Sequence, residues 1–228
     1  MARQFSQDAS YGQRVANTKM KTWSRQIKRT ARILRLKPFY QEQRSEAADH
    51  RWNLIVEHLR SSDRTLLDIG CNIGELAARC AARGIFTMGI DALDEVIAHA
   101  VRRHKGKENL LFGIYSLDPS SVRRLPHADV MLCLSVHHYW HRSYGEAACW
   151  EMVAEILGKT PRLFFEPASS HIRYGATPPA FSNMDESSID EYVFDNFTRL
   201  VKDNRKIEKL GRTPSIRQES FRTMYLIS

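Results

Sequence analysis

The stretch Leu66-Leu67-Asp68-Ile69-Gly70-Cys71-Asn72-Ile73-Gly74-Glu75, followed after a helix-length segment by Met88-Gly89-Ile90-Asp91, decides the fold. Arg64 to Ile69 is an apolar run bounded by polar residues, the pattern of a buried parallel strand. Gly70 and Gly74 flank a tight turn, where glycine tolerates positive φ and lets a ligand approach the main chain. From Gly74 to Arg83, Leu76, Ala77, Cys80 and Ala81 share one helical face, and Gly84 ends that helix. Phe86 to Ile90 reads as a second strand. Asp91 closes it, where a carboxylate can accept two hydrogen bonds from ribose hydroxyls. Strand, glycine turn, helix, strand and acid make a βαβ unit suited to an adenosine-containing ligand.

Spacing narrows the ligand. A dinucleotide turn has the form Gly-x-Gly-x-x-Gly, with pyrophosphate on the helix N-terminus. Here the pattern is Asp-x-Gly-x-x-x-Gly, and Glu75 at the helix start would repel a pyrophosphate. An acid before the turn and another beside it suit a cationic ligand instead. On these residues the chain resembles the class I S-adenosylmethionine-dependent methyltransferases. The resemblance implies S-adenosyl-L-methionine as cofactor, a pocket for its methionine end shaped at Asp68, Gly70 and Gly74, and a ribose held at Asp91. Cys71, Asn72, Ala92, Leu134 and Ser135 join the expected cofactor-binding set. The resemblance also implies that residues at the end of the third strand cover the adenine, and Tyr115 and Ser116 are the nearest matches.

The remaining segments extend the same alternation. Ser45 to Arg60 reads as a helix with Ala48, Trp52, Ile55, Val56 and Leu59 on its inner face. Further helices are expected over Asp94–Arg103, Gly145–Leu157 and Asp185–Lys202. Strands are expected over Leu110–Leu117, Ala128–Val136 and Arg162–Phe165, with Ile207–Gly211 and Phe221–Ile227 as a closing antiparallel pair. The fold expected is α/β: a seven-stranded Rossmann-like methyltransferase sheet with helices on both faces. It would occupy residues 45–228, the extent of the resemblance, preceded by a basic helical N-terminal arm over residues 1–44.

Composition bounds the setting. A hydrophobic content of 43% supports an ordinary core in a 228-residue chain. Cys71, Cys80, Cys133 and Cys149 show no CxxC pairing and fall on apolar elements, which points to a reducing compartment rather than a disulfide frame or zinc site. No apolar run reaches membrane-spanning length and the N-terminus carries no apolar signal core, so a cytoplasmic chain is expected, with peripheral contact at a membrane surface through the arm as a further option. The net charge of +8 is segregated: residues 1–40 hold ten basic side chains and one acid, against 24 basic and 25 acidic in the rest. Trp23, Ile27, Ala31 and Leu34 recur at helical spacing among those bases. The arm suits contact with nucleic acid or anionic lipid head groups, a lid over an anionic substrate, or a solvated helix packed through Trp23.

Ligands in open α/β sheets lie beyond the carboxyl ends of the strands. At the fourth strand's end stands Leu134-Ser135-Val136-His137-His138-Tyr139-Trp140-His141-Arg142-Ser143-Tyr144-Gly145-Glu146. It lacks the Asn/Asp-Pro-Pro-aromatic run of enzymes that methylate exocyclic or amide nitrogens. The Lys-Asp-Lys-Glu tetrad of ribose methylation is not evident either. The segment resembles two phosphate-methylating groups, the methylphosphate capping enzymes of RNA 5′ ends and the O-antigen chain-terminating methyltransferases. The match rests on Leu134, Ser135, Val136, His141, Gly145 and, after strand five, Glu166-Pro167. His137, His138 and Tyr139 depart from the RNA-capping pattern, and His138 is closer to the O-antigen one. The segment is expected as a histidine-bearing loop, with His137, His138, His141 and Glu166 as catalytic candidates. Tyr139, Arg142, Arg173 and Tyr174 are the expected acceptor contacts, within a polar edge that includes Ser169, Ser170 and His171. A phosphate oxygen needs positioning by cations, whereas a sugar hydroxyl needs a base such as histidine, and the same residues fit both. A zinc site at the three histidines is disfavoured, because the consecutive pair projects in different directions.

The sequence therefore predicts an O-methyltransferase acting on a phosphate or hydroxyl of a glycan, lipid-linked or RNA-end acceptor. The alternative is a nucleic-acid or membrane-surface binding module on a non-catalytic methyltransferase scaffold.

Overall fold

A computed structural model describes residues 45–168, 186–201, 205–214 and 220–228. All of them belong to the second of two units into which the chain divides, residues 45–228. The expected arm at 1–44, and Ser169, Ser170, His171, Arg173 and Tyr174, lie outside the described residues.

The elements run α1 (Ser45–Val56), β1 (Thr65–Ile69), α2 (Glu75–Ala81), β2 (Phe86–Asp91), α3 (Asp94–Arg103), β3 (Leu110–Ile114) and a 3-10 turn (Val122–Arg124). They continue with β4 (Val130–Leu134), α4 (His137–Tyr144), α5 (Glu146–Leu157), β5 (Leu163–Glu166), α6 (Glu186–Leu200), β6 (Ile207–Pro214) and β7 (Phe221–Ile227). The strands form one sheet of order β3-β2-β1-β4-β5-β7-β6. β1 to β5 pair in parallel, and β7 lies antiparallel between β5 and β6. Order reverses between β1 and β4, so the carboxyl ends of those two strands flank the crevice where such sheets bind ligands.

Alternation along each strand feeds two cores. Leu67, Ile69, Met131, Cys133 and Phe165 pack under α5 and α6 through Trp150, Val153, Ile156, Val193 and Phe197. Leu66, Leu132, Leu134 and Phe164 face the other way, with Ile55 of α1 and Cys80 of α2. The four cysteines are buried and free. Among the described residues, no helix is long and apolar enough to cross a membrane.

Besides small shifts of element ends, such as α1 stopping at Val56 rather than Arg60 and β6 running on to Pro214 rather than Gly211, three differences from the sequence reading bear on the site. β3 stops at Ile114 rather than Leu117, because the Asp118 carboxylate accepts the Ser120 and Ser121 N–H groups at 2.8 Å each and turns the chain. β4 ends at Leu134 rather than Val136, because Ser135 adopts φ +59°. The expected loop after it is the two-turn helix α4, whose Trp140 and His137 are buried against the core.

Candidate active site

The first turn is built by backbone geometry. Gly70 (φ +73°) and Gly74 (φ +76°) hold left-handed conformations. A Cβ on Gly70 would collide with Val136, and one on Gly74 with the Phe112 ring. Gly70 and Cys71 donate their N–H groups to the Ile90 carbonyl at 2.8 and 2.9 Å, tying the turn to β2. Asp91 then accepts the Asn72 N–H at 3.1 Å and the Leu93 N–H at 3.0 Å, one on each carboxylate oxygen. A carboxylate has about four lone-pair sites, so both oxygens keep capacity toward the crevice. Leu93 is 49% exposed beside it, and Ala92 is exposed too. The Tyr115 N–H reaches the Asp91 carbonyl at 2.9 Å, and Ser116 follows on the surface.

Asp68 lies buried under this turn. Burial first, and then the Asp91 charge, push its pKa up to about 7, against the pull of Arg51. Asn72 is in the left-handed region (φ +57°), and its buried Oδ1 has no hydrogen-bond partner among the described residues. Glu75, at the start of α2, is engaged by Arg103 at 3.4 Å and Arg79 at 3.7 Å.

On the other side of the crevice, α4 divides its histidines. His137 has no exposed surface; its ring lies tilted 4.5 Å from that of Trp150 and edge-on 5.3 Å from that of Phe165. Burial pulls its pKa down to about 3, so it is neutral. His138 and His141 are nearly covered, the former with its ring centroid 4.1 Å from that of Tyr139. Tyr139 and Arg142 are exposed.

Glu166 is fully buried beneath the strand tips. Arg51 donates to both its oxygens, from Nε at 2.9 Å and from Nη2 in a very close contact. Ser135 Oγ and Thr213 Oγ1 each donate to it at 2.7 Å, and Arg222 Nη1 lies 3.3 Å away. Attraction to Arg51 and these hydrogen bonds overcome the burial penalty, so its pKa falls to about 2 and it is ionised.

No family model matches the chain. The YqeM protein of Bacillus subtilis (strain 168), itself named only as a candidate methyltransferase, is 29% identical over 164 residues, which are 69% of this chain and 64% of that one. The bifunctional kinase-methyltransferase WbdD superposes with a TM-score of 0.64 at 18% identity, over 82% of this chain and 42% of its own. The magnesium protoporphyrin IX methyltransferase ChlM of Synechocystis PCC 6803, with S-adenosylmethionine bound, gives 0.55 at 17% identity over 84% of each chain. The chain has the class I methyltransferase fold. It spans less than two thirds of the length of YqeM and of WbdD.

Within this methyltransferase fold, Gly70, Cys71, Asn72, Gly74, Asp91, Ala92, Tyr115, Ser116 and Ser135 gather at the carboxyl tips of β1 to β4, with Asp68 and Leu134 buried just below. His137 departs from the expected catalytic set: α4 turns it into the aromatic core. Glu166 departs from the catalytic set as well, because a carboxylate with no exposed surface and four side-chain partners cannot touch a substrate. Sequence reasoning missed Arg51, Thr213 and Arg222, which meet Glu166 across 115, 47 and 56 positions. One signal was readable: Arg51 stands between Ala48, Trp52 and Ile55 on the inner stripe of α1.

Proposed function

We propose that this chain is an S-adenosylmethionine-dependent methyltransferase that transfers the methyl group to oxygen. Its acceptor would be a phosphate or hydroxyl on a glycan, lipid-linked or RNA-end molecule. One observation carries the reading: a buried acid, an amide oxygen with no partner among the described residues and a second acid surround a glycine turn at the topological switch of a class I sheet. That donor set fits a ligand with cationic sulfur and nitrogen centres and a ribose. Asp68 and Asn72 Oδ1 would face the cationic methionine end, Asp91 the ribose, and Leu93 would give the adenine an apolar plate. Bound there, S-adenosylmethionine supplies an electrophilic methyl group. The chain's own contribution is alignment, which provides much of the rate in such displacements. Tyr139, Arg142, His138 and His141 on α4 would orient the acceptor.

Phosphate and hydroxyl acceptors ask different things of α4. A phosphate needs a held cation such as Arg142; a hydroxyl needs a neutral imidazole to take its proton. WbdD, a kinase-methyltransferase of the same fold, lends support to a phosphate-bearing acceptor. Calorimetry with S-adenosylhomocysteine tests the donor reading. Wild type is expected to bind, and Asp91→Ala to lose about a hundredfold, as two charge-assisted hydrogen bonds disappear. A wild-type chain that fails to bind overturns it. The segregated charge of residues 1–40 favours a second role, holding the chain on nucleic acid or an anionic membrane. Removing those residues should abolish such binding while leaving donor affinity intact.

A further inference from the structure

Ser135 is unusual. A non-glycine residue in the left-handed region is uncommon, and asparagine accounts for the other two among the described residues, Asn72 and Asn109. Serine has no such preference, so surrounding contacts must impose the conformation. They are fully specified here. The Ser135 N–H donates to the Glu166 carbonyl at 2.7 Å, extending the β4–β5 ladder by one rung. The hydroxyl donates to Glu166 Oε1 at 2.7 Å and accepts from Arg222 Nη1 at 2.8 Å and Arg51 Nη2 at 3.0 Å. A hydroxyl offers one donor and two acceptor sites, and all three are filled. Glu166, ionised between two guanidinium groups, is the centre of the arrangement, and Thr213 holds its second oxygen. α1, β4, β5, β6 and β7 therefore all meet at this one hydroxyl and one carboxylate.

The consequence lies in the next residues. Val136 leaves the twisted Ser135 to sit against the Cα of Gly70, in the volume a side chain there would need. Its carbonyl accepts the Tyr139 N–H at 2.8 Å and opens α4. The helix bearing His138, Tyr139, His141 and Arg142 is thus aimed from Ser135, and its first contact is the donor's glycine turn.

We infer that Ser135 and Glu166 are positioning residues, a buried clamp that sets α4 against the Gly70 turn and so fixes the acceptor-facing helix relative to the donor. The inference rests on the donor reading above only for what the clamp serves; the clamp itself is measurable without an acceptor. Amide hydrogen exchange of residues 136–144, melting temperature and S-adenosylhomocysteine affinity are measured for wild type and four variants. Ser135→Ala keeps the backbone penalty and removes the three hydrogen bonds of the hydroxyl. Exchange at 136–144 should rise about tenfold or more, and ligand affinity fall roughly tenfold, on the scale of a lost charge-assisted hydrogen bond. Glu166→Gln should do the same. Ser135→Gly, which accepts the left-handed backbone freely, should exchange more slowly than Ser135→Ala. Asp63→Asn, at the buried Arg162 pair on the opposite edge, should lower the melting temperature and leave exchange at 136–144 and affinity unchanged. Wild-type exchange in Ser135→Ala overturns the inference, as does an Asp63→Asn variant that loosens 136–144 equally. If Glu166→Gln does not fold, the two serine variants still decide. A wild-type chain that binds no ligand overturns the donor reading alone, and the exchange data still judge the clamp.

Discussion

The two rims of the sheet solve different problems with the same residue types. At the amino rim, most polar groups are matched to local partners. Asp129 accepts the Arg64 N–H, the Thr65 N–H and the Thr65 hydroxyl at 2.8 to 3.0 Å. Arg162 donates to Asp63 and to the His58 carbonyl, and Arg205 to the Leu157 and Thr160 carbonyls. An open cleft of about 400 Å³ there is lined by Thr65, Asp129, Lys159 and Arg205, whose charges are mixed in sign. At the carboxyl rim, two carboxyl groups diverge: Glu166 is held ionised by arginines, while Asp68 is held near neutrality by burial and by Asp91. Asn72 Oδ1 adds a buried acceptor without a partner among the described residues. Each rim keeps one such polar atom among the described residues, Arg205 Nη1 at the amino rim and Asn72 Oδ1 at the carboxyl rim, but the carboxyl rim sets its own beside a buried acid whose pKa is raised to about 7. Acids perturbed in this way cluster where ligands bind.

Four measurements would break or sharpen this contrast. Glu166→Ala leaves two guanidinium groups around an empty site, and urea denaturation should show a loss of about 3–5 kcal/mol. Asp63→Ala should cost roughly half that, because Arg162 keeps the His58 carbonyl. Equal losses would make the carboxyl-rim network an ordinary structural pair. Gly74→Ala combines a left-handed alanine with a collision against Phe112, for about 2–3 kcal/mol in the same assay and weakened donor binding. Wild-type behaviour would mean that the turn is adaptable.

The pH dependence separates the two acids by sign. Glu166 has a folded pKa below its ordinary 4.5, so its contribution is present above that value and is lost as pH falls toward about 2. Asp68 has a folded pKa raised from 3.8 to about 7, so the folded chain holds the extra proton between them. Without ligand, its contribution to stability therefore declines as pH rises through that window. A cationic ligand prefers the ionised acid. Affinity for S-adenosylmethionine should climb by up to about tenfold per pH unit below 7 and level off above, with protons released on binding. Asp68→Asn should flatten the profile; a profile that stays steep would move the titrating group elsewhere. The smallest effect belongs to the surface. Arg79→Ala removes the 2.6 Å pair with Asp49, and about 0.5 kcal/mol or less is expected from a thermal melt.

The strand, turn, helix and acid between Arg64 and Asp91 were readable in the chain itself, and so was the class of sheet. Period-two and helical apolar patterns, glycine at the turn and a terminal acid are local properties, set by sterics and burial over ten or so neighbours. The residues expected to hold the donor lie at the tips of β1 to β4. The histidine segment differs from its reading: the expected loop is a helix, and of its three catalytic candidates His137 is buried in the aromatic core. Helical geometry in α4 sends His137 inward and Tyr139 outward.

Glu166, a catalytic candidate at a strand end in the sequence reading, is fully buried. Its burial depends on Arg51, Thr213 and Arg222, which no local pattern brings near it. Short-range sterics fixed this chain's order of elements from sequence alone. Only the tertiary structure decided which charges were stripped of water and which groups then neutralised them, because desolvation and Coulomb pairing depend on distance in space, not on separation along the chain.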